Sequence, residues 1–128
     1  MQNFNGKWNY RSFCPRTGTA ESPAQIAAPW TPPGELNVTT DAKGNVAGTL
    51  RFGPGLELQV KGALTPASEK DRVPEGVELN AEGLGSVYLV RGYFLAGSTH
   101  LTGTVLAIRN DLAKQPPGTL GAFILFPA

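Results

Sequence analysis

The spacing of glycine and proline is the feature that most limits how this chain can fold. Sixteen glycines and eleven prolines are spread along its 128 residues, so almost no uninterrupted segment is long enough for a stable helix. The short segments between them alternate apolar and polar residues, as in residues 56–64, where Leu56, Leu58 and Val60 are separated by polar side chains. This period of two is typical of a strand with one buried and one solvent-facing side. The chain is therefore predicted to be all-β.

Eight strand-like segments can be counted, and most connections between them are short. They are residues 6–13, 35–40, 46–52, 56–64, 77–82, 86–96, 100–109 and 119–126. Between the second and the third, Asp41–Asn45 is predicted to form a hairpin turn, with Gly44 where a positive φ is needed. Successive hairpins favour an eight-stranded antiparallel up-and-down barrel, a single domain over residues 1–128, with a β-sandwich as the alternative. Trp8, early in the first segment, is expected to close one end of the barrel.

Charge and composition exclude several function classes. Eleven basic and ten acidic residues give a net charge of +1 without a run of like charge, which makes nucleic acid and membrane surfaces poor partners. One histidine and one cysteine are too few for a usual transition-metal site, so neither a metal nor a cofactor is predicted. No apolar segment reaches membrane-spanning length, and the polar N-terminus does not resemble a secretory signal. The default expectation is a cytoplasmic protein.

The connection between the first two strands, residues 14–34, is the longest one. Ordinary hairpin loops take about two to five residues, and longer ones without structure of their own are usually functional or disordered. This segment contains five prolines together with Ile26 and Trp30, and a short helical turn fits residues 24–28. Its apolar residues indicate that it is held against the barrel. It is expected to be either a lid over one end or a cover for an apolar patch on the outer wall.

Strands six to eight are apolar on both faces. Val87–Val90, Val105–Ile108 and Ala122–Phe126 show no clear alternation. A barrel wall built from them would expose a larger apolar patch than soluble monomers usually carry, so something is expected to cover it. The candidates are a second copy of the chain, the proline-rich loop or a neighbouring domain. We expect homo-oligomers that form through strands six to eight.

Two motifs are similar to those of a known family. Gly6-Lys7-Trp8 resembles the glycine-x-tryptophan motif of the calycins, the group that contains lipocalins and avidins. Residues 36–50 resemble the second hairpin of the avidins and streptavidins, and the chain ends, as theirs do, in an apolar eighth strand. The resemblance implies a ligand-binding barrel that oligomerises through its late strands.

The positions that contact biotin in that group do not match. Leu50 follows Gly48-Thr49 where the avidins have a tyrosine, and Tyr10 takes the place of a polar residue. The avidins also line the interior with several tryptophans from their middle and late strands, whereas this chain has none after Trp30. The resemblance therefore implies the architecture without biotin binding.

Eight residues are candidates for contact with a ligand, and none is assigned a catalytic role. They are Tyr10, Ser12, Trp30, Leu50, Phe52, Arg91, Tyr93 and His100. Tyr10 and Ser12 share the face of the closing tryptophan and are expected to point inward. Arg91 lies in an apolar strand, so it either anchors a ligand carboxylate inside the barrel or faces outward at an interface, and Tyr93 shares its face. His100 is expected at the rim.

Three function classes fit these observations. The first is a non-catalytic barrel that binds a small apolar or aromatic molecule, closed by the segment around Trp30. Its interior lining would consist of Tyr10, Ser12, Leu50, Phe52, Leu58 and Tyr93. The second is a structural or oligomerisation module with a filled core. The third is a small isomerase or cyclase in which Tyr10, Arg91 or His100 transfers protons, although an enzyme is not the favoured class.

Overall fold

The fold is a closed barrel of eight antiparallel strands. A computed structural model describes residues 4–13, 29–111 and 117–128. The strands are β1 (Gly6–Phe13), β2 (Gly34–Thr40), β3 (Asn45–Arg51), β4 (Glu57–Thr65), β5 (Gly76–Gly83), β6 (Ser86–Phe94), β7 (Leu101–Asn110) and β8 (Leu120–Pro127). Each strand pairs with the next, and β8 pairs with β1, so one sheet closes on itself. The predicted up-and-down barrel is confirmed, and this closure excludes the sandwich. The largest error in a strand boundary is at the end of β6, predicted at residue 96 and found at Phe94.

The interior is packed with side chains from alternate positions of every strand. In β4, Leu58 and Val60 are buried, whereas Glu57 and Gln59 between them are exposed. The same alternation holds around the barrel and produces one continuous apolar core. Burying a side chain of this size stabilises the fold by about 1.5–3 kcal/mol, so the inward positions specify the register of each strand.

Aromatic residues close the end of the barrel at which β1 begins. Trp8 is only 7 % exposed, and its indole Nε1 donates a hydrogen bond to the backbone oxygen of Phe4 at 3.2 Å. The Phe4 ring lies 5.3 Å from the indole, centroid to centroid, and meets the ring of Phe94 edge-on. The expectation that Trp8 closes one end is confirmed. We call this the Trp8 end and the opposite one the Trp30 end.

Two glycines allow neighbouring strands to approach closely where the wall bends. A Cβ atom at Gly62 would lie 1.9 Å from the backbone oxygen of Glu78, and one at Gly103 would lie 1.9 Å from that of Arg91. Both obstacles are backbone atoms of the adjacent strand, so no side chain can move aside to make room. Glycine in a strand interior commonly marks such a bend in a barrel.

Strand β6 alternates regularly between buried and exposed residues, although its sequence is apolar on both faces. In β6, Ser86, Tyr88 and Val90 are buried, whereas Leu89 and Arg91 are exposed. The sequence looked uniform because the outward positions of the late strands are also apolar. The pairing of β6 with β7 shifts between Val87 and Tyr88 of β6. Strand β7 has one extra residue at this step, between Ala107 and Arg109, shortly before its end.

Candidate functional site

Side chains fill the interior almost completely. The remaining cavity has a volume of about 10 Å³, close to the smallest space that holds one water molecule. Its lining consists of Tyr10, Leu36, Leu50, Val60, Leu79, Ala81, Val90 and Leu125. The interior formed by the described residues is therefore too small for an organic molecule at this cavity.

The Trp30 end differs from the rest of the interior because it is polar. Within the described residues, the buried polar side chains other than the aromatic ones are Ser12, Ser86 and Asn110, and they lie at the ends of β1, β6 and β7 that meet here. The hydroxyls of Ser12 and Thr31 are 3.0 Å apart, and the Tyr88 hydroxyl donates to the Asn110 side-chain oxygen. Satisfied bonds of this kind allow polar groups to stay buried in a core.

The indole of Trp30 fills the opening at this end. Its backbone nitrogen donates to the oxygen of Ser12 at 2.9 Å, and its ring meets that of Tyr88 edge-on with 6.3 Å between the centroids. The ring lies against Gly121, where a Cβ would come within 2.5 Å of two ring carbons. The side chain is 9 % exposed, and its buried Nε1 has no hydrogen-bond partner among the described residues. Such a buried donor is uncommon in a folded protein.

Burial changes the acidity of the two interior tyrosines. Desolvation raises the pKa of Tyr10 well above its usual range, and a hydrogen bond with Ser12 offsets only part of this rise. Desolvation also raises the pKa of Tyr88, against a smaller opposite effect of its hydrogen bond with Ser86. Both phenols are therefore neutral near pH 7 and act there as hydrogen-bonding groups. Neither phenol therefore supplies a general base near pH 7.

Five of the eight candidate residues lie together in the core. Tyr10, Ser12, Leu50 and Phe52 point inward as expected, and Trp30 adjoins them at the opening. The Tyr10 ring stacks on Phe123 and meets the ring of Phe52 edge-on. The part of the long connection that contains Ile26 and the predicted helical turn lies outside the described residues, as does Cys14.

The other three candidates lie on the outer wall, so the expected interior position of Tyr93 was wrong. Gly92 faces inward, which turns Arg91 and Tyr93 outward. Arg91 therefore faces outward rather than into the barrel, and it forms an ion pair with Glu78 at 2.7 Å. Counting outward from the tight turn between β5 and β6 places these two residues opposite each other, so the ion pair could have been predicted from the sequence.

His100 lies next to the Trp8 end, away from Trp30. Its ring stacks on Phe126 at 5.9 Å, and its Nδ1 is 3.1 Å from the hydroxyl of Ser98. The guanidinium of Arg11 lies over the same Phe126 ring, at 5.4 Å from its centroid. These contacts hold His100 on the outer wall. None of them is with Tyr10 or Arg91, the other two residues named as candidates for proton transfer.

Sequence reasoning missed the polar residues Ser86, Tyr88 and Asn110. Ser86 and Tyr88 share the inward face of β6 with Val90, but a strand that is apolar on both faces gives no contrast by which to choose between them. Asn110 points inward because the extra residue in β7 reverses the alternation near its end. Simple alternation from Val105 would have placed Arg109 inside instead.

A row of leucines crosses the outer wall. Leu89 pairs with Leu106, and Leu106 pairs with Leu120, so the three side chains lie side by side on β6, β7 and β8. Leu89 and Leu120 are 40 % and 50 % exposed. We call these three residues the leucine row. Ile108, on the same wall, is 48 % exposed.

The leucine row forms part of the lining of a surface groove. Its volume is about 420 Å³, and it extends from Lys61 on β4 across to the leucines. Glu78, Asn80 and Arg91 form its polar side. The wall is therefore concave here rather than uniformly convex, and it offers adjacent apolar and polar surfaces.

Neither similar proteins nor a metal cluster among the described residues indicates an activity. No protein-family model matches the sequence, and no similar curated protein is found. Among the described residues, no three His, Cys, Asp or Glu side chains are grouped as metal ligands would be. The same residues include no helix with the length and apolar character needed to cross a membrane. A function must therefore be argued from the barrel's own surfaces, because a fold alone does not specify one.

Proposed function

We propose that this protein is a non-catalytic assembly module that makes protein contacts through the outer wall formed by β6, β7 and β8. The observation that carries this proposal is the leucine row, three leucines in direct cross-strand register on a solvent-facing surface. Isolated exposed leucines are common, but a contiguous apolar patch on a folded surface usually marks an interaction site.

The filled interior supports the same proposal. A barrel that binds a small molecule inside needs a cavity of a few hundred Å³, whereas the cavity here measures about 10 Å³. The packed core instead makes the wall a rigid surface, which lowers the entropic cost of binding a partner. A filled interior therefore favours a working surface on the outside of the barrel.

The proposal is tested with variants that place a charge on the wall. Leu120→Glu adds a carboxylate to the leucine row, and Ala47→Glu adds the same group at an exposed position of β3, on another part of the wall. A dye that fluoresces on apolar surfaces should bind dilute wild-type protein and the Ala47 variant, and it should bind the Leu120 variant much less. Small hydrophobic and aromatic compounds, biotin included, should leave the Tm unchanged.

The opposite results would contradict the assembly proposal. A compound that stabilises the wild type and the Leu120→Glu variant equally, in a saturable manner, would act at a site other than the leucine row. That result would favour a ligand-binding barrel. Equal dye binding by all three proteins would show that the leucine row is not an accessible apolar surface.

The Trp30 end suggests a second candidate function, the binding of a small aromatic molecule. The specific observation is the buried indole Nε1 of Trp30 beside the polar side chains of Ser12, Tyr88 and Asn110. Membership of the calycins, which Gly6-Lys7-Trp8 implies, would favour this function because ligands of that family bind inside the barrel. An aromatic guest would have to replace the indole. A panel compound that shifts the fluorescence of wild-type Trp30 towards that of a solvent-exposed indole would support this candidate, and the absence of any shift would contradict it.

A further inference from the structure

We propose that the partner of the outer wall is a second copy of this chain, bound face to face about a two-fold axis that runs between the two Leu106 side chains. This inference rests on the proposed assembly function and adds the identity and the symmetry of the partner. It follows from the order of residues in the leucine row, from the charges around it and from the size of the surface.

The leucine row is self-complementary about its centre. Leu106 has a leucine on each side, Leu89 on β6 and Leu120 on β8. A half-turn about an axis that lies between the two facing walls, parallel to β7 at Leu106, places Leu89 over Leu120 of the second copy and Leu106 over its own equivalent. Each exposed leucine then meets another leucine, as a closed two-fold interface requires.

The concave surface that contains the row gives the second copy room to approach. Two convex barrel walls would touch along a narrow line, whereas the groove of about 420 Å³ can receive side chains that protrude from the other copy. Leu120 is the most exposed of the three leucines, and it lies at the edge of the row. In the two-fold arrangement it meets Leu89 of the second copy, which also lines the groove.

The charges around the row favour a neutral partner. The main cation on the groove, Arg91, is already paired with Glu78 of the same copy at 2.7 Å. The other ionisable residue that lines the groove is Lys61. A surface of this kind does not attract polyanions, and the chain's net charge of +1 gives two copies little mutual repulsion. A second copy therefore meets no electrostatic barrier.

The available area predicts a weak dimer. Four strands spaced about 4.8 Å apart, with about seven residues each, cover roughly 450 Å² of wall, or roughly 900 Å² over both copies. Stable complexes bury about 1,200–2,000 Å². The dimer should therefore dissociate on dilution, with a Kd on the order of tens of micromolar.

The test uses single-cysteine variants, for which Cys14 is first replaced by serine. Facing sheets lie about 10 Å apart, too far for a direct disulfide, so a short bis-maleimide is the suitable cross-linker. Leu106→Cys should cross-link to itself and give a covalent dimer at concentrations where sedimentation velocity shows association. Leu89→Cys mixed with Leu120→Cys should cross-link more than either variant alone. Ala47→Cys, in the same cross-strand row but on β3, is the matched control and should stay monomeric.

A substitution without cysteine chemistry completes the test. Leu120→Glu should weaken the association by tenfold or more while leaving the Tm of dilute protein within a few degrees of the wild type. Ala47→Glu should leave the association unchanged. The Leu120 side chain is half-exposed, so its replacement does not disturb the core.

The outcomes separate this inference from the function on which it rests. Wild-type protein that remains monomeric at millimolar concentration would overturn the second-copy partner, while the dye-binding result would still decide whether the leucine row is an apolar contact surface. A dimer that Leu120→Glu dissociates, but in which Leu106→Cys never cross-links to itself, would overturn the two-fold arrangement.

Discussion

The packing of Trp30 against Gly121 predicts a strong energetic coupling between these two positions. A Cβ at Gly121 would lie 2.5 Å from two carbons of the indole and 2.7 Å from the backbone oxygen of Phe13. Gly121 does not adopt a positive φ, so alanine is compatible with its backbone and only the contact opposes it. Gly121→Ala should therefore force the indole out of the opening or shift it by about an ångström.

The magnitude of this effect is bounded by what the indole contributes. A tryptophan buries about 150–250 Å², which at about 25 cal/mol per Å² corresponds to roughly 4–6 kcal/mol if the ring leaves entirely. Overpacking a site that yields only partly costs about 1–3 kcal/mol. Gly121→Ala should accordingly lower the free energy of unfolding by about 2–4 kcal/mol, and Trp30→Ala alone by about 3–4 kcal/mol.

The decisive measurement is a double-mutant cycle in chemical denaturant. Once Trp30→Ala has removed the ring, the added methyl group of Gly121→Ala still meets the backbone oxygen of Phe13, and its cost should fall to about 1 kcal/mol. The coupling energy should therefore be at least about 1 kcal/mol. Near-UV circular dichroism would report the loss of the ordered indole in Gly121→Ala. A coupling energy below about 0.5 kcal/mol, the range expected of independent sites, would refute the packing described for the Trp30 end.

Three further results are expected. Leu84, with a φ of +53°, and Gly85 form the two-residue turn of the β5–β6 hairpin. Because asparagine tolerates a positive φ better than alanine, Leu84→Asn should be more stable than Leu84→Ala by about 1 kcal/mol. Equal denaturation midpoints for the two variants would contradict this. Because burial raises the pKa of Tyr10, the folded state keeps a phenolic proton that the unfolded state loses, so stability should be complete below about pH 10 and fall above it by about 1.4 kcal/mol per pH unit. Tyr10→Phe should reduce this slope in pH-dependent denaturation, and an unchanged slope would count against the explanation. Gly103→Ala should lower the free energy of unfolding by about 3 kcal/mol or more. Thr104→Ala, at an exposed position of the same strand, should stay within about 0.5 kcal/mol of the wild type. Similar denaturation midpoints for the two variants would contradict the close approach at Gly103.

The sequence predicted the strands well because their signals are local. Clear alternation in β4 and β5 and glycine-containing turns placed most of the wall correctly, and Tyr10 and Ser12 could be assigned to the interior from their spacing to Trp8. These assignments need only a period of two and a turn.

The candidate site was harder to predict because it depends on positions without a local signal. Tyr93 was placed inside although Gly92 occupies the inward position, because an inward glycine contributes no apolar side chain to the pattern. Trp30 lies in a long connection whose path is decided by tertiary contacts rather than by periodicity. The extra residue in β7 could not be foreseen, so Asn110 was missed. The leucine row requires the registers of the β6–β7 and β7–β8 hairpins at once, and neither has a tight two-residue turn like the one at Leu84.

The pairing of β1 with β8 has a consequence for how this protein is made and used. Asn9 donates a hydrogen bond to the backbone oxygen of Pro127, 118 residues away, so the wall cannot be completed until β8 has emerged from the ribosome. Contacts this distant in sequence slow folding, and until β8 arrives β1 presents an open edge that a chaperone could protect. After folding, the start of β1 and the end of β8 are neighbours at one rim. The barrel could therefore be inserted into a surface loop of a host protein, or its ends could be joined and new ones opened at the Asp41–Asn45 turn, without changing the order of strands around the wall.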